Sequence, residues 1–175
     1  MASMAPELEE PARPLGAPGL EAAYREHYRS LVRLASLLID DVGTCEEVVQ
    51  DAFVGVWRRG PALRSDDRLP AYLRSAVLNG ARSHLRRRRT ASAHLAVARA
   101  PAPSAGVGTA VSDHQLVLAA LRALPTRQRE VLVLRYYLDL PEAEIATTLG
   151  LSAGSVKTHA HRGLRALADR LEDLR

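Results

Sequence analysis

The sequence predicts an all-α protein, on three observations. Aromatic residues make up only 4% of the 175 residues, with Trp57 and Phe53 each the sole residue of its kind, which favours aliphatic helix packing over aromatic-rich sheet. Apolar residues recur at three- and four-residue steps through most of the chain. No run of alternating β-branched residues stands out. Hydrophobic residues, at 47%, suffice for packed cores, and the length suits one medium domain or two small ones. Two small helical domains joined by a flexible linker are expected.

Residues 1–18 are rich in Pro, Glu and Ala and are expected to be a disordered tail. They lack the apolar segment of a secretory signal. No apolar stretch approaches the roughly 20 residues that span a bilayer, so a soluble, cytoplasmic protein without membrane contact is expected. Leu20, Tyr24, Tyr28, Leu31, Ala35 and Leu38 predict a first helix, which Asp40-Asp41-Val42-Gly43 interrupts. Thr44 with Glu47 three residues on has the pattern of a capping box for a second helix. Its core face reads Cys45, Val48, Val49, Ala52, Phe53, Val56 and Trp57, and Gly60-Pro61 ends it. After the polar loop GPALRSDDR, Pro70 suits the first position of a third helix. That helix runs through Leu73, Val77, Ala81 and Leu85 into four arginines, completing a small bundle over 19–89.

Residues 90–112 carry a single charge, eight alanines and an A-P-A-P core, the composition of a linker whose alanine-rich start suits extension of the preceding helix. A second domain over 113–175 follows. Leu116, Ala120 and Leu121 predict one helix, ending at Leu124-Pro125. Val131, Leu132, Leu134 and Arg135-Tyr136 belong to a second, and Glu142 to Leu149 form a third. Gly150 closes it and Ser152 caps a fourth, from Ala153 to about Leu171. Helix, glycine turn and helix make a helix-turn-helix.

In the last helix Val156, Ala160, Leu164 and Leu167 fall on one face, towards Ile145 and Leu149. Ser155, Thr158, His159 and Arg162 fall on another, near the half that a recognition helix inserts into the major groove. Hydroxyls and imidazole bond base edges, and Arg162 suits guanine O6 and N7 or a phosphate. Lys157, the sole lysine, and Arg165 flank this row as phosphate contacts. The competing reading is a core helix only, since any surface helix shows one apolar stripe. Gly154 and Gly163 each weaken a helix by up to about 1 kcal/mol relative to alanine, which close packing or close approach to DNA would rationalise.

A net charge of +4 conceals local segregation. Seven arginines and no carboxylate lie between Arg68 and Arg89, whereas five carboxylates and no base lie between Asp40 and Asp51. Helix C-termini attract one or two arginines through the macrodipole; four in a row plus Arg82 point to a polyanion. Tyr72 and Asn79 share that helix, where an aromatic can stack on an exposed base or simply pack in the core. His159 and His161, two apart, point away from each other on a helix and cannot chelate one ion. Cys45 is alone, so neither a disulfide within the chain nor a cysteine metal site is expected. There is no phosphate-binding glycine loop or GxSxG elbow, and Asp66-Asp67 reads as a turn. No enzyme activity, metal or cofactor is expected.

Three blocks, EEVVQDAFVGVWRR, LPAYLRSAVLNGARSHLRRRR and LPTRQREVLVLRYYLDLPEAEIATTLGLSAGSVKTHAHRGLRAL, together resemble an extracytoplasmic-function (ECF) sigma factor of the sigma-70 superfamily. The last block alone is also similar to the helix-turn-helix of LuxR-type response regulators; the first two decide between them. The resemblance implies a non-catalytic specificity subunit that binds core RNA polymerase, recognises −10 and −35 promoter elements and assists melting. Residues 19–89 would form a region 2-like domain on the β′ clamp helices and the −10 element. Residues 113–175 would form a region 4-like domain on the −35 element and the β flap.

By position, Glu47, Gln50, Asp51 and Arg58 would meet polymerase. Arg64, Ser65 and Asp66 would sit where the family captures a flipped −10 base. Tyr72, Arg74, Asn79, Arg82 and Arg86 would line the −10 DNA. Ser155, Lys157, Thr158, His159, Arg162 and Arg165 would face the −35 DNA. An anti-sigma protein is a further implied partner. Pro141 stands where many relatives carry serine, His159 where a basic residue is frequent, and Ala160 where a larger aliphatic is usual. These departures bear on base preference, not on fold. The alternative function is a stand-alone activator or repressor, which would bind duplex DNA without polymerase.

Overall fold

The computed structural model describes residues 17–59, 68–96 and 112–173. Among them there are seven helices and no strand. The first half comprises α1 (Ala17–Leu38), α2 (Val42–Arg59) and α3 (Leu69–Ala96). The second comprises α4 (Asp113–Arg122), α5 (Thr126–Leu132), α6 (Glu142–Leu149) and α7 (Ala153–Asp173).

Local chemistry sets the boundaries. Asp41, not Thr44, caps α2: its carboxylate accepts from the Thr44 N–H at 2.7 Å, so the helix starts at Val42. The same hydrogen bonding from Thr44 holds the Asp41 carboxyl below the usual carboxylate range. Pro70 is the second residue of α3, whose helix continues past the four arginines to Ala96. The alanine-rich start of the expected linker is therefore helical. Residues 97–111 of that linker, most of the expected tail, and the loop 60–67 with Arg64, Ser65 and Asp66 lie outside the described residues. Ser112 caps α4 through a capping box with Gln115. α5 runs on into a π-helical turn, Val133–Tyr137, after which Asp139 adopts φ 51°. Gly150 closes α6 at φ 64°, a left-handed conformation that favours glycine. The Ser152 hydroxyl then accepts from the Ser155 N–H at 3.1 Å at the start of α7.

The α2 stripe packs as expected from Cys45 to Val56, but Trp57 departs from it and is 58% exposed. Phe53, on the same flank of the helix, is covered by the Tyr24 ring at 5.0 Å. One turn further, α2 has reached the start of α1, and Trp57 borders an open apolar hollow with Leu20, Tyr24 and Val54. At the α2–α3 crossing, a Cβ on Gly80 would stand 2.7 Å from Val48 Cγ1, so only glycine permits this approach.

In α7 the buried row runs Val156, Ala160, Gly163, and Leu164 is 43% exposed instead of completing it. The cause is α5. A Cβ on Gly163 would lie 3.1 Å from Leu132 Cγ and 3.2 Å from Gln128 Cβ, so the helices meet at that glycine. The buried apolar residues of both halves form one contiguous cluster, with α1 packed on α4 and α3 on α6. Arg122 of α4 donates to the Ser36 carbonyl of α1 from Nε at 3.2 Å and Nη2 at 2.5 Å.

Candidate nucleic-acid interface

α7 carries the first candidate surface. Its buried row faces α5 and α6, and helical periodicity turns Thr158, Arg162 and Arg165 to the opposite side, where all three are exposed. Lys157 is exposed on one flank, with Nζ 3.8 Å from Glu142 Oε1. Ser155 and His159 are half-buried on the other. Both hydroxyls already have local partners: Thr158 Oγ1 donates to the Gly154 carbonyl at 2.9 Å, and the Ser155 and Ser152 hydroxyls share a 2.8 Å hydrogen bond. Gly154 lies on this outward side, and a Cβ there would meet nothing within 4 Å. Packing therefore explains Gly163 but not Gly154.

α3 carries the second. Arg86, Arg87 and Arg89 are exposed, a dense positive strip at the outer end of the helix. Arg88 is paired with Asp40 at the α1–α2 junction, and its hydrogen bond holds the Asp40 carboxyl below the usual carboxylate range. Tyr72 is half-buried, with its hydroxyl 2.9 Å from where a Gly55 Cβ would stand on α2. Arg74 pairs with Glu144 of α6. Arg82 donates from Nη1 to Asn79 Oδ1 at 2.9 Å and grips Glu130 of α5. Of the five residues expected along −10 DNA, only Asn79 and Arg86 are exposed.

Glu130 and Glu144 had not been expected to matter. Glu130 is 1% exposed, a carboxylate within the apolar run EVLVL, preceded at three residues by Arg127, which also reaches it at 3.2 Å. A charge set in an apolar row is the signal that it has a partner across the core.

α2 carries the third. Glu47, Gln50, Asp51 and Arg58 are all exposed in one row, with Val54, 44% exposed, between them. Glu47 and Asp51 border a cleft whose far wall includes Tyr72, His84 and Arg87 of α3. The acidic and basic surfaces are therefore neighbours. No helix among the described residues is long and apolar enough to cross a membrane.

These surfaces coincide with the regions of a known family. Residues 23–91 match the family model for Sigma-70 region 2, and residues 114–167 match that for Sigma-70, region 4. The chain is 32% identical over 174 residues to the ECF RNA polymerase sigma factor SigL of Mycobacterium tuberculosis, covering 93% of this chain and 97% of that protein. It is 30% identical over 155 residues to the RNA polymerase sigma-E factor of Streptomyces avermitilis, covering 87% and 84%. Its fold is similar to that of the sigma factor RpoE in complex with the anti-sigma factor NepR from Bartonella quintana, with a TM-score of 0.71 at 21% identity over 87% of this chain and 96% of that one. It is also similar to CnrH in complex with the cytosolic domain of CnrY, with a TM-score of 0.64 at 26% identity over 90% of each chain. Two family models in the right order and a relative matched nearly end to end lead to one conclusion: the chain belongs to the sigma-70 family, as an RNA polymerase sigma factor of the ECF type.

Proposed function

We propose that this sigma factor divides its work between three faces: α7 reads the −35 element, α3 and the loop before it take the −10 element, and the α2 row docks on core polymerase. The observation that carries the reading is the exposed stripe Thr158, Arg162 and Arg165 on the second helix of a helix-turn-helix, in one chain with an arginine-rich α3. On α7, Arg162 and Thr158 are the base-edge candidates, with Lys157 and Arg165 as phosphate contacts. Ser155 and His159, half-buried on the flank of α7, border the groove.

On α3, Arg86 begins the strip that follows the phosphate backbone, and Arg74, Asn79, Arg82 and Tyr72 extend the −10 surface towards the loop holding Arg64, Ser65 and Asp66. On α2, Glu47 and Asp51 with Gln50 and Arg58 suit a basic partner such as the β′ clamp helices; the second half is assigned to the β flap. The units proposed are 19–89 and 113–175. The chain contributes recognition while polymerase performs the chemistry, in the cytoplasm. An anti-sigma partner is proposed because RpoE and CnrH were solved with NepR and CnrY.

Run-off transcription with purified core polymerase on a promoter library tests the reading. Initiation from a defined subset of promoters is expected. Failure to initiate, together with tight polymerase-free binding to a duplex operator, would establish a stand-alone regulator instead.

A further inference from the structure

A hollow of about 210 Å³ opens where the α1–α2 junction, α3, α4 and α5 meet, lined by Leu38, Asp40, Leu85, Arg88, Arg122 and Arg129. The lining holds three guanidiniums and one carboxylate, which leaves two positive charges unbalanced. Arg129 is the most buried of the three, at 4% exposed. Its Nη1 donates to the Arg122 carbonyl at 2.8 Å, whereas its Nε is buried with no hydrogen-bond partner among the described residues. Glu130, next along the chain, does not neutralise it, because that carboxylate is bonded to Arg82 and Arg127.

Burial pulls the Arg129 side chain below the usual arginine value; Glu130 opposes that pull, and the Arg89 and Arg122 charges add to it. Arginine nevertheless keeps its proton in proteins, so this guanidinium is charged and out of water. Arg122, half-buried, uses Nε and Nη2 on a neutral acceptor, the Ser36 carbonyl. Neither Arg122 nor Arg129 forms an ion pair among the described residues. A buried charge is costly unless it is both paired and hydrogen-bonded, and the pairing is what this hollow lacks.

We propose that the hollow is a binding site for a small phosphoryl dianion, inorganic phosphate or the terminal phosphate of a phosphomonoester, held by Arg88, Arg122 and Arg129. A phosphomonoester carries about −1.5 to −2 charge at neutral pH, which matches the two unbalanced positive charges of the lining. Guanidinium presents a planar fork of donors to phosphate oxygens, and the apolar walls of Leu38 and Leu85 strengthen the attraction by lowering the local dielectric. Position separates this ligand from the promoter backbone. A phosphodiester carries one charge and is tethered on both sides, so it does not descend to a guanidinium that is 4% exposed. A free or terminal phosphate does. Asp40, its side chain 45% exposed, stands at the mouth with Arg88 at 55% and competes with the incoming anion for that arginine. The site is independent of which face takes which promoter element.

Isothermal titration calorimetry of the full-length protein tests the site, with sodium phosphate replacing sodium chloride at constant ionic strength. One saturable site is expected. Losing a charged hydrogen bond weakens binding by at least about tenfold, so Arg88→Gln is expected to do so and Arg129→Met to abolish it. Asp40→Asn removes the competitor and is expected to tighten binding several-fold. Arg170→Gln, at the exposed end of α7, should change affinity less than about twofold, as a distant surface charge does. If circular dichroism shows Arg129→Met to be unfolded, the opposed shifts of Arg88→Gln and Asp40→Asn carry the test, since a merely loosened fold moves both the same way.

A nucleoside 5′-monophosphate, titrated alike, separates the sources of the phosphoryl group: tighter binding than inorganic phosphate assigns the site to a phosphomonoester, and equal or weaker binding assigns it to the inorganic ion. Phosphate is expected to bind still when a short single-stranded oligonucleotide with a 5′-hydroxyl is present at saturation. Loss of phosphate binding under that condition would make the hollow a DNA-backbone contact and overturn the proposal. No saturable phosphate binding by the wild type, or equal binding by the wild type and Arg88→Gln, would overturn it as well.

Discussion

Glu130 shows what one residue can commit a fold to. With its carboxylate almost wholly out of water, its charge depends on Arg82 and, more weakly, on Arg127. Arg82→Ala leaves it with the longer bond alone, and breaking a buried pair from one side costs about 3 kcal/mol. A lowered urea midpoint is expected, whereas a midpoint within error of wild type would mean that water reaches Glu130 and the pair counts for little. Asp40 makes the opposite kind of contact, at the surface, with Arg88. Its carboxyl is held low chiefly by the Arg88 hydrogen bond, so its folded value lies beneath its unfolded one. The stabilisation is complete above the ordinary aspartate range of about 4 and is lost as pH falls through the lowered folded value. Asp40→Asn should therefore make stability fall less steeply between neutral pH and pH about 3; an acid limb identical to wild type would contradict this.

At the scale of the element, the two glycines of α7 look alike in sequence and separate in structure. Alanine at Gly154 meets open space and gains helix propensity, so Gly154→Ala should stabilise by up to about 1 kcal/mol. Alanine at Gly163 would press on Leu132 and Gln128 of α5, and the overpacking outweighs the propensity gain, for a net loss of about 1–2 kcal/mol. Thermal unfolding of the two variants should move in opposite directions; a rise in both would mean that α5 yields freely. Periodicity revealed the helices and most of their buried rows, because burial follows the 3.6-residue repeat. It misplaced Trp57 and Leu164, because a repeat does not record where the neighbouring helix ends or approaches most closely. Asp41 displaced Thr44 as the α2 cap for a similar reason. The Thr44–Glu47 spacing fits a capping box, but the backbone path starts the helix at Val42, where the Asp41 carboxylate accepts from the Thr44 N–H.

The whole molecule is where sequence reading stopped, because the ties between its halves join residues 48 and 70 positions apart that no local pattern connects. The exposed α7 stripe proposed for −35 DNA was legible since one helix contains it. The surface proposed for −10 DNA was legible as charge but not as availability, since Arg74 and Arg82 reveal their partners only in three dimensions. That distinction predicts how promoter binding responds to salt. Each arginine that neutralises a phosphate contributes about 0.9 to the slope of log affinity against log salt. Arg86, Arg87 and Arg89 are exposed, so replacing all three with alanine should lower the holoenzyme's slope on a promoter recovered from the library by up to about 3, and weaken binding most at low salt. Adding Arg88→Ala should lower it by less than a further unit, because Arg88 must leave Asp40 before it can reach a phosphate. Filter binding between about 50 and 200 mM salt, where such slopes are linear, provides the measurement. An unchanged slope in the triple variant would show that the arginine run is a solvated helix end and would return the −10 contact to Arg74 and Arg82 alone. A full further unit from Arg88 would show that its carboxylate partner is released once polymerase and DNA are bound.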